Sequence, residues 1–128
     1  MAQRIALGVY VACFTIGTIS HALDFWALGL RPYSWGPPLL EAFWSSLVVL
    51  DPVAAGLLLL GKRRAGLVLA AAIMVCDVVA NSYAFFVLGI EGFAVALPLQ
   101  AAFLGFVLGS IGFLWPDRAT HSPRAEPQ

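Results

Sequence analysis

The sequence predicts an all-α fold, a polytopic membrane protein built as a four-transmembrane-helix bundle. Three observations predict it. The 128 residues are 61% hydrophobic and only 11% charged. The apolar residues fall into four runs of 22 to 24 residues, and a helix needs about 20 to cross a bilayer. Glycine, proline and charge gather between the runs, where helices stop.

The first run covers residues 5–28 and ends at Gly29-Leu30-Arg31-Pro32, continuing to Gly36-Pro37-Pro38. The second covers 39–60 and ends at Gly61-Lys62-Arg63-Arg64. The third, 65–88, is closed by Gly89-Ile90-Glu91-Gly92, and the fourth covers 93–115. Together they form one transmembrane domain over residues 1–116. Beyond Trp115-Pro116 the composition turns to Asp, Arg, Thr, Ser, Pro and Glu. Such a segment cannot bury a core, so 117–128 is expected to be a disordered cytoplasmic tail. Arg4 with the apolar run and Ser20-His21-Ala22 imitates a signal peptide cleaved near Ala22. The run continues through Leu23, Phe25-Trp26 and Leu28, long for such a peptide, so the expected first helix is uncleaved.

Charge gives orientation. Arg4, Lys62, Arg63, Arg64, Arg118 and Arg124 fall on one side of the four-helix arrangement, and only Arg31 falls on the other. The positive-inside rule then places both termini in the cytoplasm of a bacterial plasma membrane. Formal net charge is zero, so nothing favours nucleic acid as a partner. Cys13 and Cys76 lie in apolar runs with no Cys-x-x-Cys pairing and read as two buried structural thiols. The chain also echoes itself at an offset of 60, with ten identities over residues 4–44, among them Arg4 with Arg64, Phe25 with Phe85 and Pro38 with Pro98. This reads as two tandem helical hairpins, in which His21 corresponds to Asn81.

The polar residues inside the runs suggest a site. Counted at about 1.5 Å per residue from the helix midpoints, His21, Ser45, Asn81 and Gln100 share a layer about 7 Å to the outer side of the midplane. Each helix supplies one of them. Asp51 and Asp77 lie near the midplane, while Asp24 and Glu41 lie toward the outer surface. The expected picture is a polar cavity opening outward with two carboxyls at its floor. A carboxylate at that depth costs about 2.5 to 3.5 kcal/mol on insertion scales, so intramembrane acids usually mark a functional site. The plainer reading is protonated carboxyls acting as hydrogen-bond glue between helices.

Asp77 and Asn81 are four apart and share a helix face; His21 and Asp24, three apart, can do the same. His21, Asp24 and Glu41 do not have the spacing of a known metal signature, and no metal is expected. Pro52 removes a backbone donor and frees the Val48 carbonyl beside Asp51, as a site contact or a packing kink. Trp26, Trp35 and Tyr33 fit an interfacial belt. Trp44 lies deeper and could line the cavity. Ala101, Gly105 and Gly109 form a small-residue seam on the fourth helix, a packing face within the bundle or in a homo-oligomer.

The stretch of residues 73–86, with Asp77, Ala80, Asn81 and Phe86 as its core, resembles the third helix of bacterial styrene oxide isomerases, and residues 46–51 resemble their second. The resemblance implies a small four-helix membrane enzyme that binds haem b. Ser45 stands where those enzymes carry the haem-ligating histidine, so the expected cofactor is none. More loosely, His21, Asp24, Glu41, Trp44, Asp51 and Asn81 resemble the repertoire of the EXPERA group of sterol isomerases and sigma-2-type receptors. Both resemblances imply a lipophilic molecule held between helices and isomerised by proton transfer.

The reading is therefore a membrane isomerase, or a binder of a small lipophilic molecule. Asp51 or Asp77 acts as general acid, and His21, Asn81 and Ser45 orient the ligand. Trp44, Tyr83 and Phe85 wall it, with Asp24, Glu41 and Gln100 completing the site. The alternatives are a small oligomeric proton-coupled transporter and a scaffold subunit of a membrane complex.

Overall fold

The computed structural model describes residues 1–116; the expected tail, with Arg118, His121 and Arg124, lies outside the described residues. Four helices follow one another: α1 (Ala2–Leu28), α2 (Pro38–Leu59), α3 (Arg63–Phe86) and α4 (Phe93–Leu114). Each is long and apolar enough to cross a membrane. Among the described residues there is no strand.

The helix ends follow capping chemistry rather than hydropathy. α1 starts at Ala2, ahead of the apolar run, because the N–H groups of Arg4 and Ile5 both reach the Met1 carbonyl, at 3.1 and 3.2 Å. α2 opens with Pro38 in its first turn, where the missing N–H costs nothing. It closes at Gly61, whose φ of 74° is open to glycine. There the Lys62 N–H returns to the Leu57 carbonyl at 2.9 Å and the Gly61 N–H to Leu58 at 3.2 Å, the paired bonds of a Schellman cap. α3 ends at Phe86, earlier than expected, because the N–H groups of Val87 and Leu88 converge on the Tyr83 carbonyl.

The connections define two ends of the bundle. Residues 29–37 and 87–92 lie at one, called here the loop end. Met1, residues 60–62 and Trp115 lie at the other, the terminal end. Each helix packs on the next in sequence, and α1 and α4 touch only lightly. Their contact is confined to the terminal half. Gln3 Nε2 donates to the Phe113 carbonyl at 3.0 Å, and the Tyr10 hydroxyl donates to the Val107 carbonyl at 3.1 Å. The Tyr10 ring meets Phe103 and Phe106 at centroid distances of 5.9 and 5.7 Å. Both helices that contain an internal proline, α2 at Pro52 and α4 at Pro98, run on through it.

The echo at offset 60 loses register after the first helix of each hairpin. Pro38 is the first residue of α2, whereas Pro98 lies a turn and a half inside α4, which begins at Phe93. The short 87–92 connection starts α4 sooner than the 29–37 connection starts α2. The seam on α4 is also turned outward. A Cβ at Gly105 or Gly109 would meet nothing within 4 Å, and Ala101 is exposed. It is not a packing face within the bundle.

Close approach occurs instead between α2 and α3. A Cβ at Gly66 would lie 2.6 Å from Leu58 Cδ2, 2.8 Å from its Cγ and 3.2 Å from its backbone nitrogen. Small residues bring backbones together where lipid supplies no hydrophobic drive between helices. Gly66→Ala is expected to destabilise the protein by about 1–3 kcal/mol through overpacking, despite a helix-propensity gain of about 1 kcal/mol. Thermal unfolding in detergent checks it; a raised melting temperature would mean that the α2–α3 crossing yields without cost.

Candidate functional site

A cavity of about 580 Å³ lies among the four helices. Phe14, Leu47, Ile73, Met74 and Phe103 give it apolar walls, and Ser20, His21, Asp51, Asp77 and Gln100 give it polar groups. No lysine or arginine lines it. Ile16 of α1 and Leu99 of α4 also line it, yet are 64% and 67% exposed. The cavity therefore opens sideways, through the gap that α1 and α4 leave toward the loop end.

The end expected to open is instead filled by aromatic rings. The α1–α2 connection folds back over the bundle. Trp44, 2% exposed, stacks on Phe93 at 5.4 Å, packs against Trp35 at 5.4 Å and takes the edge of Tyr33 at 5.8 Å. Trp44 is thus part of this plug and does not line the cavity. Its indole N–H donates to Asn81 Oδ1 at 2.7 Å.

Asn81 is the centre of the buried polar network. Its Nδ2 donates to Asp77 Oδ1 at 3.1 Å and to Gln100 Oε1 at 2.7 Å. Both amide hydrogens are used, and with the indole bond the side chain ties α2, α3 and α4 together. Asn81 itself is 1% exposed and stands behind the cavity wall, holding two residues that do line it.

Asp51 is different. It is 5% exposed, lines the cavity, and makes no hydrogen bond among the described residues. Gly17 of α1 makes room for it: a Cβ there would run into Asp51 Oδ2. Asp77, 7% exposed, lines the same cavity from α3. The arrangement is one held carboxyl and one that makes no hydrogen bond among the described residues, both lining a common cavity.

His21 and Asp24 are joined through a third residue rather than directly. The Tyr33 hydroxyl donates to Asp24 Oδ2 at 2.6 Å and lies 2.7 Å from His21 Nδ1. Tyr33, expected in an interfacial belt, is 9% exposed. Burial pushes its hydroxyl above the ordinary phenol range, and the bond to Asp24 adds to the effect, so it stays a donor. Sequence reading missed it because the partners lie in a helix that only the folded connection reaches. The signal available was two aromatics within the turn-rich Pro32-Tyr33-Ser34-Trp35-Gly36-Pro37.

Other expected site residues lie elsewhere. Glu41 turns to Arg31, with Nε to Oε1 at 2.8 Å and Nη2 to Oε2 at 2.7 Å, so His21, Asp24 and Glu41 do not converge. Ser45 is half-buried on α2, off the cavity and outside the Asn81 network. With a hydroxyl in that place, the residues present do not fit a haem held from α2. Tyr83 is 47% exposed, and Phe85 packs on Phe86 at 4.9 Å; neither lines the cavity, because that face of α3 points outward. Of the two cysteines, Cys13 is half-buried at the cavity wall and Cys76 is exposed, so they are not two buried thiols.

At the terminal end, Lys62, Arg63 and Arg64 with Pro116 border a second hollow of about 420 Å³. Arg63 Nη1 donates to Gln3 Oε1 at 3.3 Å, and Arg64 Nη2 to the Pro116 carbonyl at 3.4 Å. These cations stand at the opposite end of the bundle from Arg31.

The fold and the site define a class: a bundle of four membrane-length helices with an acid-lined cavity open on one flank. No protein-family model, curated protein or solved structure matches the chain.

Proposed function

We propose that this protein sits in a bacterial plasma membrane, binds a small lipophilic molecule in the α1–α4 cavity, and isomerises it by acid/base proton transfer. The single observation that carries the reading is Asp51, a carboxyl of a residue only 5% exposed that makes no hydrogen bond among the described residues and lines the cavity. Its oxygens keep access to the cavity, where a ligand can supply the partner that the surrounding helices do not. The cavity volume is in the usual range for a small-molecule site, about 300–1,000 Å³. Its flank position supports entrance from the hydrocarbon rather than from water.

In this reading Asp51 or Asp77 is the general acid. Asn81, itself bonded to Gln100, holds Asp77 in place, and Phe14, Met74 and Phe103 hold the apolar body of the ligand. Lys62, Arg63 and Arg64 at the terminal end support cytoplasmic termini, with the loop end outside. The outward seam of Ala101, Gly105 and Gly109 favours a second reading, an oligomeric proton-coupled transporter, in which the same acids carry protons.

Native mass spectrometry of the protein purified in mild detergent, with lipid extraction, tests the proposal. The expected result is one retained lipophilic molecule per chain. An empty monomer would sink it, and an empty oligomer would move the weight to transport.

A further inference from the structure

We propose that Tyr33 is a positioning residue: it fixes neutral His21 with its hydrogen on Nδ1, leaving the Nε2 lone pair as the proton acceptor of the cavity. The chemical role of His21 rests on the isomerase reading; the tautomer does not.

A phenol has one hydrogen to give and two lone pairs to accept with. The Tyr33 hydroxyl donates to Asp24 Oδ2 at 2.6 Å, a short O–H···O bond. That bond takes the hydrogen. Toward His21 the same oxygen can then only accept, so at 2.7 Å the Nδ1 must donate. A neutral imidazole carries hydrogen on one nitrogen only, and which one is set by the bond the other makes. Nε2 is left bare. It has no hydrogen-bond partner among the described residues, and His21 lines the cavity that Asp51 and Asp77 line.

The chain of contacts thus has a direction. Asp24 anchors Tyr33, Tyr33 orients His21, and His21 presents a base to the ligand. In the reaction, a ligand C–H proton moves to Nε2 while its electron pair stays on the ligand. The proton of the Asp51 or Asp77 carboxyl is delivered to a second atom of the ligand. An imidazolium and a carboxylate remain, and return of the proton from His21 to the carboxylate restores both. While charged, the ring keeps its Nδ1–H bond to Tyr33, which passes the stabilisation on to the Asp24 carboxylate. No redox partner is needed.

The test is the tautomer itself. The chain has two histidines, so a His121→Ala background leaves His21 as the only imidazole. ¹⁵N NMR of this full-length protein in detergent or bilayers, at a pH where the ring is neutral, reads both nitrogens without any ligand. The expected result is a protonated Nδ1 and an unprotonated Nε2. Tyr33→Phe is expected to move the tautomer ratio by about tenfold toward Nε2–H, the size of one net hydrogen bond. An Nε2–H ring in the Tyr33 protein overturns the proposal, as does a ratio that Tyr33→Phe leaves unmoved. The first measurement needs no Tyr33 variant, so a variant that fails to fold does not spare the proposal. An Nε2–H ring in a protein that retains a ligand strikes down this relay alone. An Nδ1–H ring in an empty monomer strikes down the isomerase reading and leaves the role of Tyr33 intact.

Discussion

Asp51→Asn is expected to reduce turnover of the cavity's ligand by about 10²- to 10⁴-fold, the range for removal of a positioned general acid, while leaving the melting temperature unchanged or raised. The two halves of this result have separate causes. The amide keeps the shape of the carboxyl but has no acidic proton to deliver. Asp51 makes no hydrogen bond among the described residues, so the substitution breaks none. It also removes an ionisable group from a buried position, which costs the fold nothing. Turnover of the molecule recovered from the purified protein, measured beside thermal unfolding, gives both numbers. Wild-type turnover would take the acid role from Asp51. A sharp fall in melting temperature would mean that its carboxyl is held by the fold after all.

Asn81→Leu is expected to do the reverse, lowering the stability of the bundle by about 2–4 kcal/mol with no new void, since leucine keeps the branched shape and is the bulkier side chain. The cost comes from what the asparagine leaves behind. The Trp44 indole N–H is orphaned in the aromatic plug, at 2% exposure, and Gln100 and Asp77 lose their shared donor. One unsatisfied buried polar group costs about 1–3 kcal/mol. Hydrogen bonds between membrane helices average nearer 0.6 kcal/mol because side chains find new partners, and Trp44 is too enclosed to do so. Unfolding in mixed micelles measures the loss. A change below about 0.5 kcal/mol would show that the network re-forms around the leucine.

Those two residues also mark how far the sequence could be read. The helices were legible because apolar length and glycine-rich breaks act locally; only the ends moved, at Met1 and Tyr83, where carbonyls capture more N–H groups than hydropathy reveals. The pairing of Asp77 with Asn81 was legible because i,i+4 spacing fixes it within one helix. Counting residues to a depth placed Asn81 and Gln100 in one layer, and they are bonded. Depth says nothing about rotation about the helix axis, however. Ser45 and Tyr83 came out at useful depths on faces that miss the cavity. Trp44 and Tyr33 were misjudged for another reason. Their neighbours are set by how the 29–37 connection folds back, and no periodicity encodes that. Gly17 gave no signal at all, since its role exists only because Asp51 arrives from another helix.

The flank opening has a consequence for biosynthesis. Its two rims, at Ile16 and Leu99, belong to the first and the last of these four helices to be synthesised. Until α4 emerges, no wall exists on that side, and Asn81 lacks its Gln100 partner. The nascent three-helix chain therefore presents Asp51 and Asp77 to whatever surrounds it, lipid or insertion machinery. The cavity is complete only when α4 docks against α1 through the contacts of Tyr10 and Gln3. The existence of the site then reduces to one question, whether α1 and α4 have met.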